Sequence, residues 1–179
     1  MATVHEIEQR LFSWAPRESA MDWDNVGHLV GDPEQEVERI LVALDITERV
    51  VQEAIDCGAQ LIVSHHPVMN VRWHEREMQT LRSDTRLGGV LTTLVKNGIS
   101  AICMHTNLDA ADGGVNDCLA KKLGLNDILL LNDEKIGRIG TLSCEKGLEE
   151  FLRDVIELLD CGGLRYCRGS GRVYRVAVG

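Results

Sequence analysis

Histidine and aspartate side chains follow three short apolar segments of the chain. Asp45 comes directly after the first segment, His65 and His66 after the second, and His105 after the third. Asp109 lies four residues beyond His105, in the segment H-T-N-L-D. Imidazole nitrogens and carboxylate oxygens are suitable ligands for Zn, Fe, Mn and similar divalent ions. The residue types therefore point to a metal site with His65, His66 and Asp109 as ligands.

The adjacency of His65 and His66 indicates how many ions such a site would hold. Successive side chains of a regular strand point to opposite faces, so neighbouring histidines diverge. Pro67 favours extended geometry at His66, which indicates that the chain leaves the strand at this point. A diverging pair suits two ions roughly 3.5–4 Å apart, each bound by one imidazole, with Asp109 binding or bridging. The spacing favours a dinuclear centre.

The sequence leaves other roles open for these residues. A single loop histidine is more often a surface or hydrogen-bonded residue than a ligand. His105 could orient a ligand through a hydrogen bond, or move protons as a catalytic residue. Asp109 could satisfy loop amides, as aspartates do in turns. The chain has no G-x-G-x-x-G or Walker A pattern, and no Ser or Cys nucleophile stands out with a paired base.

Alternating strands and helices would position these side chains. Arg39–Ile46, Gln60–Ser64 and Ile99–Met104 are short apolar runs, as expected for strands buried on both faces. The amphipathic segment Thr47–Cys57 joins the first two as a helix. Such β-α-β crossovers make strands parallel, and ligand sites lie beyond the carboxyl ends of parallel strands. We therefore expect an α/β fold with a mostly parallel sheet and flanking helices.

Further helices and one turn are predicted elsewhere in residues 1–132. We predict helices over Thr3–Trp14 and Val115–Leu123, one or two helices within Glu75–Asn97, and a turn or hairpin loop over Met21–Asp32.

The pattern changes after Asn132, where short strands surround one helix. The predicted elements are a strand at Arg138–Ser143, a helix at Leu148–Leu159, and strands at Leu164–Cys167 and Val173–Val178. We interpret residues 1–132 as an α/β metal-site domain and 133–179 as the start of a second, smaller α+β domain. Because the chain stops directly after a strand, leaving a strand edge without a closing helix, we expect it to be incomplete at its C-terminus.

Composition narrows the functional classes. The formal charge is −9 and no Lys/Arg cluster is present, which argues against nucleic acid as a partner but leaves a metal-bridged nucleotide possible. No segment approaches the roughly 20 apolar residues of a membrane span. The six cysteines are scattered without a C-x-x-C pair, which favours reduced thiols and a cytoplasmic location.

Five segments of the chain form a series in which H-H-P and H-T-N-L-D, at this spacing, are a specific combination. They are D-W-D-N-V-G-H-L-V-G-D, A-L-D-I-T, L-I-V-S-H-H-P, H-T-N-L-D-A-A-D-G-G-V-N-D and G-R-I-G-T-L. This series closely resembles the NIF-three-like dinuclear-metal family, whose members are often labelled GTP cyclohydrolase 1 type 2 homologues. The resemblance covers nearly the whole chain.

The resemblance implies a two-domain α/β protomer that assembles into a homohexameric ring. It implies that His65 and His66 ligate two different divalent ions, that Asp109 is a carboxylate ligand, and that His105 lies beside the metals. The family completes its site with a His and a Glu from a C-terminal H-x-x-x-E segment, and this chain ends before such a segment.

The leading hypothesis is a dinuclear metal-dependent hydrolase-like enzyme acting on a small molecule, with a GTP-type nucleotide named by the family label alone. The alternative is a non-catalytic metal-binding protein with a regulatory or interaction role.

Overall fold

A computed structural model describes residues 1–69, 80–169 and 171–179 of the chain. These residues form two compact units, Met1–Leu108 and Asp109–Gly179. The predicted helical region Glu75–Asn97 begins outside the described residues. None of the helices in the described part of the chain combines the length and apolarity needed to cross a bilayer.

The first unit contains six strands, three α-helices and one short 3-10 helix among its described residues. In chain order they are β1 (Ala2–Thr3), α1 (Val4–Trp14), the 3-10 helix Arg17–Ser19, β2 (Gly27–Val30), β3 (Glu36–Val37), β4 (Ile40–Ala43), α2 (Glu48–Cys57), β5 (Leu61–Ser64), α3 (Arg86–Lys96) and β6 (Ser100–Cys103). A further short helix, α4 (Thr106–Ala110), contains the residue at which the second unit begins.

A four-stranded sheet in the order β2-β6-β5-β4 forms the centre of the first unit. Strands β4, β5 and β6 are parallel, and Ser64 pairs with both Ala43 and Cys103 in the register. The predicted β-α-β arrangement is therefore confirmed, and the carboxyl ends of three strands lie side by side. The sheet is only partly parallel, because β2 runs antiparallel to β6.

Helix α2 has the capping signals that the sequence predicts. The Thr47 side chain accepts a hydrogen bond from the Val50 amide, and Gly58 adopts the left-handed conformation at the C-terminal end. Buried side chains of α2, α3 and β5, among them Val51, Leu94 and Ile62, pack into one apolar core. This packing fixes the loops that follow β4 and β5.

Two expectations for the first unit are wrong. Strand β4 is not buried on both faces, because Ile40 and Val42 share one face of the strand and are 46% and 76% exposed. An apolar run does not show on which sides a strand has neighbours. The segment Met21–Asp32 is not a loop throughout, because it contains strand β2. The glycines at and directly after this strand favoured the prediction of a turn.

The second unit is an antiparallel sheet with two helices packed against it. Its elements after α4 are α5 (Val115–Lys122), β7 (Asn126–Leu130), β8 (Arg138–Gly147), α6 (Leu148–Leu159) and β9 (Arg172–Val178), with the strands in the order β7-β8-β9. Helices α5 and α6 contribute Ala120, Phe151 and Val155 to a second apolar core.

The second unit differs from the predicted layer in three respects. Strand β7 is present although the sequence did not predict it, and Leu164–Cys167 is irregular rather than a strand. The unit begins at Asp109 rather than after residue 132, because β7 pairs with β8 and α5 packs on the same core.

Candidate metal centre

The three histidines predicted at the strand ends lie together. His65 and His66 directly follow β5, and His105 comes two residues after β6. The amides of His65 and His66 donate to the carbonyls of Ala43 and Leu44, at 3.2 and 2.9 Å, so the chain continues beside β4 as it leaves the sheet. The parallel register therefore brings residues far apart in sequence to one edge.

The imidazole rings form a compact group. One ring nitrogen of each of His65, His66 and His105 lies within 4.8 Å of the others. The ring centroids are 5.1 Å apart for His65 and His66, 5.2 Å for His65 and His105, and 5.5 Å for His66 and His105. Three imidazoles at this spacing form a donor set suited to a divalent transition-metal ion.

Each of the three rings contacts an oxygen through its Nδ1 atom. His65 Nδ1 lies 3.0 Å from the Met104 carbonyl oxygen, and His66 Nδ1 lies 2.8 Å from Asp45 Oδ1. His105 Nδ1 lies 2.8 Å from Asp24 Oδ1. Carbonyl and carboxylate oxygens only accept, so Nδ1 carries the proton in each case. In the neutral ring Nε2 is then the nitrogen with the lone pair, which is how metal-binding histidines are commonly oriented.

Asp24 is a site residue that the sequence analysis missed. Its side chain is fully buried, and it accepts hydrogen bonds from the His105 ring, the Thr106 amide and hydroxyl, and the Asn25 amide. The segment D-W-D-N-V-G was predicted to form a turn or hairpin loop and was part of the family resemblance, but no role was assigned to Asp24. The signal available was an aspartate within a family motif, 81 residues away from its histidine partner.

The electrostatics of Asp24 favour a permanent negative charge. Burial raises the pKa of the carboxyl, but hydrogen bonds from His105, Thr106 and Asn25 outweigh burial and hold the pKa at about 2. A fixed anion at Nδ1 orients the His105 ring and fixes which ring nitrogen carries the proton.

The other residues of the H-T-N segment hold His105 in place. Asn107 Oδ1 accepts from the His105 amide at 3.0 Å, and Asn107 Nδ2 donates to the Ala15 carbonyl at 2.8 Å. Thr106 Oγ1 accepts from the Met21 amide at 2.9 Å. These side chains tie the loop after β6 to the segments before β2, so the motif has a structural role besides supplying a histidine.

The predicted aspartates occupy different positions. Asp45, after β4, contacts His66 and is about half exposed. Asp109 lies in α4, at the start of the second unit, and its backbone carbonyl accepts from Asn116 Nδ2 at 3.2 Å. Its role as a metal ligand stays a prediction.

Cys103 lies close to the cluster but is unsuited to ligation. The thiol is fully buried and donates to the His65 carbonyl oxygen at 3.1 Å. Burial, and to a smaller degree the charge of Asp24, raises the pKa of this thiol well above its usual range. Because the thiolate is the form that binds metal or attacks as a nucleophile, Cys103 remains a structural thiol.

Comparison with known proteins gives consistent matches over this chain. The family described as Duf34/NIF3 (NGG1p interacting factor 3) matches residues 2–179. A "GTP cyclohydrolase 1 type 2 homolog" of Clostridium perfringens is 37% identical over 90% of this chain and 62% of that protein. One from Halalkalibacterium halodurans is 41% identical over 72% of this chain and 32% of that protein.

A solved structure has the same fold. The crystal structure of Staphylococcus aureus hypothetical protein SA1388 superposes with a TM-score of 0.87 at 28% identity, covering 98% of this chain and 70% of that one. The chain spans less than two thirds of either curated relative.

Proposed function

The chain belongs to the Duf34/NIF3 (NGG1p interacting factor 3) family, and we propose that it contributes a divalent-metal site to a hydrolase-like enzyme. In this proposal His65 and His66 each bind one of two ions, Zn, Fe or Mn, and Asp109 is the carboxylate ligand. The observation that supports it most is that the Nδ1 atoms of His65, His66 and His105 all face oxygen acceptors.

The donor set fits such ions. The His65 and His66 rings are held at Nδ1 by a carbonyl and a carboxylate, so each has an Nε2 lone pair to offer a metal ion. The negative charges of Asp24 and Asp45 would offset the positive charge of the bound ions. Bound divalent ions would supply Lewis acidity, which lowers the pKa of water and polarises an attacked carbon or phosphorus.

His105 is the residue we assign to proton transfer. With Nδ1 donating to Asp24, its Nε2 can accept a proton from water, and the buried carboxylate holds the ring in the tautomer and orientation that this step needs. Asp24 acts through His105 and is a positioning residue.

The substrate proposed is a small molecule, with a nucleotide suggested by the printed names of the relatives, "GTP cyclohydrolase 1 type 2 homolog". A homohexameric assembly, a cytoplasmic location and a further His and Glu from a C-terminal segment of the family are likewise proposals from the resemblance.

Metal analysis of matched variants tests this proposal. We expect the purified chain, loaded with zinc and dialysed, to retain metal, and His66→Ala to lose most of it. His5→Ala is the control, because His5 lies in α1, contacts Gln9 and is exposed. Equal metal content in wild type and His66→Ala would contradict the proposal.

Measurement of GTP turnover distinguishes the proposed enzyme from a non-catalytic metal-binding protein. We expect metal-dependent turnover of GTP that His105→Gln lowers by about 10²- to 10⁴-fold. Full metal occupancy without turnover would favour the non-catalytic metal-binding role.

A further inference from the structure

A cleft of about 220 Å³ opens beside the histidine cluster. Three segments of the first unit line it, and these are Asp45–Thr47 after β4, His66–Val68 after β5, and Arg86, Leu87 and Val90 of α3. Because His66 belongs to both the cleft and the cluster, a molecule in this cleft would lie next to the proposed metals. The volume is smaller than that of a drug-sized site and suits part of a small ligand.

The cleft combines an apolar surface with two unlike charges. Its apolar side chains come from Ile46, Val68, Leu87 and Val90. The negative charge, that of Asp45, already accepts a hydrogen bond from His66 Nδ1 at 2.8 Å. A carboxylate engaged in this way is less available to a ligand.

Arg86 supplies the positive charge. It is the first residue of α3 and is exposed. Within the described ranges no carboxylate or carbonyl contacts its guanidinium. The nearby Arg82 differs, since its guanidinium donates to Asp84 at 2.5 and 3.0 Å. An arginine guanidinium at the edge of a cleft is suited to bind carboxylate or phosphate through two parallel hydrogen bonds.

We propose that this cleft binds the oxyanion group, phosphate or carboxylate, of a small ligand through Arg86. The apolar part of the ligand packs on Ile46, Val68, Leu87 and Val90, and the ligand reaches His66. The identification of this ligand as a substrate rests on the proposed function. Arg86 is then a specificity-determining residue that holds the anion while the reacting atoms lie at the cluster.

Titration of the metal-free chain with phenyl phosphate, and separately with benzoate, tests the proposal by backbone-amide NMR. We expect saturable shifts at Ile46, Thr47, Val68 and Leu87. Arg86→Gln should raise the Kd about tenfold, as loss of a charged hydrogen-bonded contact does. Arg82→Gln removes the same charge four residues earlier and should leave the Kd unchanged.

Every outcome of this titration either supports the proposal or overturns it. Tighter binding of phenyl phosphate assigns a phosphate group and tighter binding of benzoate a carboxylate, and both support an oxyanion site. Absence of saturable shifts, an unchanged Kd in Arg86→Gln, or equal weakening in Arg86→Gln and Arg82→Gln would overturn it. Because no metal is added, failure of metal binding at the histidines would leave this result unaffected.

Discussion

At the scale of single residues, the oxygen atoms that accept from Nδ1 fix the orientation of the three histidine rings. The buried Asp24 carboxylate holds the His105 ring in this way at 2.8 Å. This contact joins residues 81 positions apart, so it depends on how the segment before β2 packs on the loop after β6. Local sequence pattern carries no information about such a partner, although the spacing of the histidines does predict that they meet.

Substitution of Asp24 tests its positioning role. Asp24→Asn removes the fixed charge at His105 Nδ1 and the acceptor oxygen that Thr106 contacts. We therefore expect metal-dependent turnover of GTP to fall about 10- to 100-fold, while the metal content stays at the wild-type level. Turnover assays and metal analysis measure both quantities, with circular dichroism to check folding. Asp22→Asn, at an exposed position two residues earlier, is the control. Equal turnover in both variants would show that Asp24 has no such role.

The second unit has an ion pair whose contribution depends on pH. Arg138 is almost fully buried and donates to both Asp117 oxygens, at 2.5 and 3.2 Å, and to the carbonyls of Lys135, Gly137 and Ala111. The hydrogen bond from Arg138 lowers the pKa of Asp117 below its usual value. Because the folded pKa lies below that of the unfolded chain, this stabilisation is present above about pH 4 and lost as the pH falls further.

We therefore expect Asp117→Asn to lower the free energy of unfolding by about 2 kcal/mol at pH 7. The difference from wild type should shrink as the pH falls below about 4, since protonation removes the same charge in the wild type. Urea denaturation at pH 7, 5 and 3 measures it. A difference that stays constant over this range would contradict the assignment.

At the scale of elements, helices are predicted from the sequence better than strands, because periodicity and capping residues mark a helix within its own segment. Thr47 and Gly58 mark the ends of α2, and the helix lies where these residues place it. Strands β2 and β7 were missed because each is defined by its antiparallel partner, β6 or β8, and not by a pattern of its own. The exposure of Val42 likewise depends on what packs on that face of β4, which an apolar run does not show.

One glycine after β2 limits how that strand can pack. Gly31 has φ +110°, and a Cβ there would lie 2.0 Å from Ser100 Oγ and 2.7 Å from Ser100 Cα. We expect Gly31→Ala to cost about 3 kcal/mol or more, from backbone strain and overpacking. Gly98→Ala is the control, because Gly98 has φ +60° but open space, and it should cost about 1 kcal/mol. Urea denaturation measures both, and equal costs would contradict close packing at Gly31.

At the scale of the whole molecule, the α/β class and the family follow from the sequence, whereas the unit boundary does not. The pattern changes after residue 132, but pairing of β7 with β8 includes the preceding segment in the second unit. A boundary set by contacts between distant segments cannot be recognised from local composition. The family motifs identify the family because they include residues from several different loops of the fold.

The central claim is that the imidazoles of His65 and His66 bind divalent ions through Nε2. Anomalous diffraction at the zinc edge, from crystals of the chain grown with zinc, tests it most directly. The account predicts two peaks, each about 2.1 Å from the Nε2 atom of one of these histidines and roughly 3.5–4 Å apart. Absence of a peak at the cluster, or bonding through Nδ1 with loss of the contacts to Met104 and Asp45, would contradict it.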